Sequence, residues 1–212
     1  MPIFDLPFMK KPKPDGDDSD EGKEPPETNE DDELRLSLYK LIIDRYRDKI
    51  EEYETRTVVD LKGMIQPHNE KIKEILDSIK EDFHPYVYDE HFLQASKTCY
   101  SYVSSFKTLS MPVSFWLDFS DMQKLRAGDE IDKSIMLCSL LRSLGSENAK
   151  VFVTDTKKSY VLFQFAGKSY VAGHSQKELS EKETGEAALE ALNGKILYSF
   201  NDKEYEDFQE GE

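Results

Sequence analysis

Apolar residues recur at intervals of three and four residues along 34–63, which predicts an amphipathic helix. Gly63 and Pro67 end this helix, or end a short helical piece that begins after Thr57. A second helix with the same spacing is predicted at about 69–82. The apolar residues of the first helix are Leu34, Leu38, Leu41, Ile42, Tyr46, Ile50 and Tyr53, and those of the second are Ile72, Ile75, Leu76 and Ile79.

The later part of the chain changes from helical to strand-like patterns. Helical spacing continues at 90–106 and 130–144, and a short helix is predicted at about 183–192. Helices followed by strands joined through tight turns predict an α+β fold with a small antiparallel sheet. The predicted strands are Lys150–Thr154, Tyr160–Phe165, Ser169–Ala172 and Lys195–Phe200.

Charge is spread unevenly over the 212 residues, whose formal net charge is -15. Residues 15–33 hold eleven acidic residues and one lysine, and residues 202–212 hold six acidic residues and one lysine. The chain between them is close to neutral, with no basic stripe for a phosphate backbone, so no direct nucleic-acid binding is expected. The absence of 18 consecutive apolar residues and of a signal-peptide pattern at the start predicts a cytoplasmic protein without a membrane span.

The composition divides the chain into four expected parts. Residues 10–33 contain no aromatic or aliphatic side chain, which predicts disorder over 1–33. A helical arm follows at 34–82, then an α+β domain at 83–200 and an acidic C-terminal tail at 201–212. An apolar cluster lies at the start of the disordered part, and it is either a docking peptide or an apolar start without a role. Its central members are Phe4, Leu6 and Phe8.

The segment around residues 127–145 carries the most information in the chain. Asp129 is a good N-cap, Asp132 stands in the capping-box position, and Gly145 supplies a stop. The helix between them has only a narrow polar stripe, so it is expected to be central and covered on most sides. Glu130 begins the buried face that continues through Ser134, at the positive end of the helix dipole.

This segment resembles the start of the central helix in the transglutaminase-like domain, a family of the papain-type cysteine-protease fold. The resemblance rests on Gly128, Asp129, Asp132, Leu137 and the residues up to Gly145, and it covers about 86–175. The block from Leu41 to Pro67 also resembles uncharacterised archaeal proteins that carry this domain. The resemblance implies a central helix followed by a small antiparallel sheet.

The family's catalytic Cys, His and Asp positions correspond here to Glu130, Ser159 and Gly173 or His174. The resemblance therefore implies a degenerate member, a pseudoenzyme, whose three catalytic residues are all lost. Its cleft would be rimmed by these positions and by Trp116. A carboxylate in the cleft favours a basic ligand, and the expected function is a non-catalytic module that binds a protein or peptide.

The cysteines, histidines and clustered acids are the remaining candidates for catalysis or metal binding. Cys138 and Cys99 lie on predicted helices among apolar neighbours, where a thiol is usually buried and unreactive. The four histidines show no metal-ligand spacing, and capping accounts for two of the three acids at 129–132, so no metal and no cofactor are expected. Three alternatives stay open: an amidase or peptidase of the same fold with another site, a scaffold role for the arm at 34–82, and acidic tails that mimic a polyanion and shield a basic partner.

Overall fold

The structure is a computed structural model that describes residues 30–113, 115–173 and 178–208. The chain divides into two units, residues 1–45 and residues 46–212. Within the first unit, the described residues 30–45 are helical throughout. The acidic residues before 30 and the predicted docking peptide with Phe4, Leu6 and Phe8 lie outside the described part of the chain.

The helix predicted over 34–63 is two helices. Helix α1 spans Glu30–Glu54 and helix α2 spans Val58–Met64. Between them Thr57 starts a capping box, in which its hydroxyl accepts from the Asp60 amide and the Asp60 carboxylate accepts from the Thr57 amide at 2.9 Å. The cap is the physical reason for the break, because its N-terminal residue takes an extended backbone that a continuous helix excludes.

Five further α-helices lie in the described part of the chain. Four of them are helix α3 (Glu70–Lys80), helix α4 (Tyr88–Ser104), helix α5 (Phe119–Leu125) and helix α7 (Gly185–Glu190). The remaining one, α6, spans Glu130–Ser143, and every residue from Asp132 to Leu141 is buried. Helices α3 and α4 pack against α6, as do the sheet strands, so the helix predicted to be central is central.

The main sheet has six antiparallel strands. In spatial order they are β6 (Ser180–Lys182), β5 (Lys168–Gly173), β4 (Ser159–Phe165), β3 (Lys150–Thr154), β7 (Ile196–Phe200) and β8 (Tyr205–Asp207). Alternation of side chains puts Val161 and Phe163 in the core shared with α6, while Tyr160 and Leu162 pack in a second cluster with residues of α7. Both faces of the sheet are therefore covered, and the α+β class is confirmed.

A second, two-stranded sheet leads into α6. Strand β1 (Lys107–Thr108) pairs in parallel with strand β2 (Ala127–Gly128), and α6 begins two residues later. The ammonium group of the buried Lys133 donates to the Phe106 carbonyl at 3.0 Å and to the Thr108 hydroxyl at 3.1 Å. These bonds attach strand β1 and the residue before it to the first turn of α6.

Several short elements were not predicted, namely α5, β1, β2, β6 and β8. Strand β8 lies inside the segment 201–212 that the sequence analysis assigned to an acidic tail, and it pairs with β7 through Phe200 and Tyr205. At the same end of the sheet, the Arg142 guanidinium donates to the Asp202 carboxylate at 2.6 Å. Pairing with a neighbouring strand, rather than an apolar pattern, gives this segment its structure.

Candidate functional site

The first turn of α6 is held by a reciprocal capping box, as its sequence predicts. The Asp129 carboxylate accepts from the Asp132 amide at 2.8 Å, and the Asp132 carboxylate accepts from the Asp129 amide at 3.3 Å. The other oxygen of Asp132 accepts from the Leu117 amide at 3.3 Å. Burial, together with the charge of Asp129, raises the pKa of Asp132 to about 7. Both carboxylates are thus engaged in fixing the start of the helix.

Glu130, which the resemblance places at the nucleophile position, forms an ion pair. The Lys158 ammonium, in the turn between β3 and β4, donates to the Glu130 carboxylate at 2.6 Å. This bond raises the pKa of Lys158. The pair joins the first turn of α6 to the start of β4, and it offsets the negative charge that Glu130 would otherwise bring to the site.

Ser159 is in contact with the same face of α6. Its hydroxyl and that of Ser134, one helical turn after Glu130, are 2.9 Å apart and buried. Glu130 contacts Lys158, the residue before Ser159, and Ser159 contacts Ser134, one turn after Glu130. The structure therefore brings the Glu130 and Ser159 positions together. Two hydroxyls and an ion pair occupy the place where the resemblance implies a thiol and an imidazole.

Gly173 ends β5 next to this group. It pairs with Tyr160 across β4 and β5, and its carbonyl accepts from the Tyr100 hydroxyl at 2.6 Å. Gly173, the position expected for the orienting residue, is therefore paired with Tyr160, the residue that follows Ser159. His174, the alternative position, lies outside the described residues.

An open cleft of about 700 Å³ lies above Glu130. The segment from Thr108 to Val113 forms one wall, the turn from Thr156 to Lys158 forms another, and Asp129 to Ile131 form the floor. Glu51 also lines it. The wall segment 108–113 and Lys158 were not identified from the sequence, because neither a short irregular segment nor one lysine in a turn has a chemical signature.

Trp116 does not line this cleft. Its indole nitrogen donates to the Glu54 carbonyl at 2.9 Å, and the ring borders a separate depression of about 200 Å³. Met64 and Phe119 line the same depression. The hydrogen bond holds the indole nitrogen at the end of α1, beside this second depression.

Both cysteines are buried in the core. The Cys138 thiol donates to the Ala149 carbonyl at 3.6 Å, and burial raises its pKa. Burial also raises the pKa of Cys99 to about 12. A reactive thiol needs an exposed position and a lowered pKa, and these two groups have neither.

The described residues contain neither a cluster of metal ligands nor a helix suited to a bilayer. Within 30–113, 115–173 and 178–208, no three His, Cys, Asp or Glu side chains come together as ligands for a metal ion. No helix in that part of the chain combines the length and the hydropathy needed to cross a bilayer.

The chain was compared with known proteins. No protein-family model matches it, and no curated protein sequence matches it. Among solved structures, it is similar to LapG of Legionella pneumophila, at 13% identity and a TM-score of 0.48, over 73% of this chain and 89% of that one. The calcium-bound form of LapG is 14% identical, with a TM-score of 0.43, over 65% of this chain and 90% of that one.

Proposed function

We propose that the protein is a non-catalytic, degenerate relative of the transglutaminase-like domains that binds an extended peptide or protein segment in the cleft above Glu130. One observation carries the proposal: Glu130 and Ser159, the positions that the resemblance gives to the nucleophile and its base, are taken up by the Glu130–Lys158 ion pair and the Ser134–Ser159 hydrogen bond. Neither pair contains the thiol that the resemblance gives to the family as its nucleophile.

The wall of the cleft supports a peptide as the ligand. Along 109–113, half-buried and exposed residues alternate, with Ser110 and Pro112 exposed. This alternation is typical of an extended segment. The Leu109 amide donates to the Gly128 carbonyl at 3.0 Å, and Arg47 donates to the Pro112 carbonyl at 2.6 Å, so the segment is anchored near both ends. A fixed extended wall suits an extended ligand that lies alongside it.

The electrostatics support a modest preference for a basic ligand. The cleft is lined by three acidic side chains, including Glu51 and Glu130, and by Lys157 and Lys158. Lys158 already offsets part of the charge on Glu130. We therefore expect a basic residue in the ligand to strengthen binding several-fold rather than to decide it, with an effect that weakens as salt is added.

The proposal is tested with a random peptide library displayed on phage and selected on the full-length protein. Enriched peptides are synthesised, and their affinities are measured by fluorescence anisotropy. Ser110→Trp adds a bulky side chain to the wall of the cleft and is expected to weaken binding at least about tenfold, which is ~1.4 kcal/mol. Ser101→Trp, at an exposed site on α4, is the matched control and is expected to leave binding unchanged.

The electrostatic part is tested separately with Glu130→Gln, and with Glu52→Gln as an exposed control outside the cleft. The first variant is expected to lose the preference for basic peptides and the second to keep it. Failure to enrich any peptide, or equal loss in both tryptophan variants, would contradict the proposal. Hydrolysis of an amide substrate that disappears in Cys138→Ala would replace it with the hydrolase alternative.

A further inference from the structure

Lys133, in the first turn of α6, is a buried cation without an ion pair among the described residues. Its side chain is 2% exposed, and its ammonium group donates only to the Phe106 carbonyl and the Thr108 hydroxyl. Burial lowers the pKa of Lys133, and the charge of Glu130 opposes that shift only in part. Glu130 is itself bonded to Lys158. Because buried charges in proteins are usually paired, this unpaired cation points to a partner outside the described residues.

The position of Lys133 on its helix makes the charge more costly. The N-terminal end of a helix carries a partial positive charge, so a cation in the first turn of α6 is disfavoured. The ammonium group has three N–H donors, and only two of them have an acceptor in the described part of the chain. A negative group brought close by a ligand would offset this charge.

The Thr108 hydroxyl connects the buried cation to the cleft above Glu130. An ammonium group can only donate, so the Thr108 oxygen is the acceptor in the 3.1 Å bond from Lys133. The proton of the Thr108 hydroxyl is left to donate elsewhere, and none of the described residues accepts it. Thr108 is exposed and lines the cleft. The cleft therefore contains a hydroxyl donor that is polarised by a cation behind it.

We propose that Thr108 and Lys133 form a carboxylate subsite at one end of the cleft, where the Thr108 hydroxyl donates to a carboxylate oxygen of the ligand. Lys133 is a positioning residue, which acts by polarising the Thr108 hydroxyl and by offsetting the charge of the ligand. A carboxylate is favoured over a neutral carbonyl because the buried cation lacks a negative partner. The inference rests on the function proposed above, since the carboxylate would belong to the bound peptide.

The subsite and the expected preference for a basic residue concern different ends of the cleft wall. Thr108 begins the wall, and Pro112 lies near its other end, where its carbonyl accepts from Arg47. Glu51 follows Arg47 by one helical turn in α1 and lines the cleft. A peptide with its carboxylate at Thr108 and a basic residue towards Glu51 would complement both ends.

The subsite is tested by NMR titration of the full-length protein with two small probes. One is N-acetyl-glycylglycine, which has a free carboxylate, and the other is the same compound as its C-terminal amide. The reporter is the signal of the Lys133 ε-carbon, identified by its loss in Lys133→Met. The acid is expected to shift this signal and to bind at least about tenfold more tightly than the amide, since hydrogen bonds to charged groups are the stronger ones.

Variants of Thr108 separate recognition from folding. Thr108→Val keeps the shape of the side chain but lacks the donor, and it is expected to reduce the preference for the acid to less than about twofold. Thr108→Ser keeps the hydroxyl and is expected to retain the preference. Thr98→Val removes a hydroxyl that bonds within α4 and is the matched control, which is expected to retain the preference as well.

The source of the carboxylate is determined with a third probe, N-acetylglutamate amide, whose only carboxylate is on its side chain. Tighter binding of this probe than of N-acetyl-glycylglycine would assign the subsite to an acidic side chain of the ligand, and the reverse order would assign it to a C-terminus. Equal binding of acid and amide by the wild type, no shift with any probe, or a preference that survives Thr108→Val would overturn the subsite.

The subsite and the proposed function can fail separately. If peptides from the library bind in the cleft but their C-terminal acids and amides bind equally, and the small probes do not differ either, the subsite is wrong and peptide binding stands. If the small acid binds as expected and no peptide is enriched, peptide binding is wrong and the carboxylate subsite stands.

Discussion

Helices α6 and α1 both carry large apolar residues, which are largely buried in α6 and largely exposed in α1. In α6, Leu137, Leu140 and Leu141 are fully buried, and even Asp132 and Lys133 are covered. In α1, Leu34 and Leu41 are more than half exposed. The apolar residues of α6 are covered by other helices and strands of the same chain. Helix α1 presents exposed apolar side chains, and this difference separates a core helix from a helix with an exposed apolar surface.

The comparison predicts its largest effect for leucine truncation. Leu137→Ala is expected to lower the free energy of unfolding by about 2–5 kcal/mol, because a buried side chain is lost and a cavity remains. Leu41→Ala, the same chemical change in α1, is expected to change it by less than about 0.5 kcal/mol. Urea denaturation measures both, at concentrations low enough to exclude self-association. Equal costs would mean that α1 is packed as tightly as α6.

The next effect concerns pH and the buried Asp132. Its pKa is raised from 3.8 to about 7 in the folded protein, so between these values the folded state binds the proton more tightly than the unfolded chain does. Its contribution to stability is therefore largest at low pH and is lost as the pH rises through about 7. Asp132→Asn is expected to flatten this dependence, measured by urea denaturation from pH 4 to 8.

The control for that measurement is Asp32→Asn in α1, where the carboxylate is exposed. It is expected to leave the shape of the pH profile unchanged. A profile that is equally steep in the wild type and in Asp132→Asn would show that the Asp132 carboxyl is not the group that titrates.

A smaller effect is expected from the cap of α6. Asp129→Ala removes the side chain that accepts from the Asp132 amide, and it should cost about 1 kcal/mol of unfolding free energy. Glu33→Ala removes an exposed acid from the first turns of α1 and should cost less than about 0.5 kcal/mol. Thermal or urea unfolding compares the two. A larger loss of unfolding free energy in Glu33→Ala than in Asp129→Ala would contradict the expectation that the start of α6 contributes more to stability than the start of α1.

The smallest effect is expected at the floor of the cleft. Lys158→Met breaks the ion pair with Glu130, whose two side chains remain 45% and 24% exposed. Because solvent screens such pairs, the expected loss in unfolding free energy is below about 1 kcal/mol. Lys124→Met breaks the exposed pair with Asp121 and is the control. If Lys158→Met alone lowered the free energy of unfolding by several kcal/mol, the ion pair would be essential for the stability of the fold.

The sequence predicts an element well where burial of one face places apolar residues at a regular spacing. The helix at 130–144 corresponds to α6 within one residue, and its capping box at Asp129 and Asp132 was read directly from residue types. Strand Lys150–Thr154 was predicted with the bounds that the structure has. In each case, many residues contribute to one pattern, so the local signal is strong.

The missed elements depend on partners that are distant in sequence. Strand β6, Ser180–Lys182, consists of polar residues and owes its conformation to pairing with β5. At the site, Glu130 and Ser159 were identified through their correspondence to family positions, but Lys158 was not, since its role depends on where the turn after β3 places it. Trp116 was assigned to the cleft, and its hydrogen bond to Glu54 takes it to another depression.

The hydroxyl pair of Ser134 and Ser159 has a consequence for how the protein would respond to its surroundings. Hydroxyl groups neither gain nor lose charge over the pH range in which proteins fold. The nearby Asp132, by contrast, has a pKa of about 7. Mild acidification would therefore strengthen the fold beneath the cleft while leaving the contact between Ser134 and Ser159 as it was.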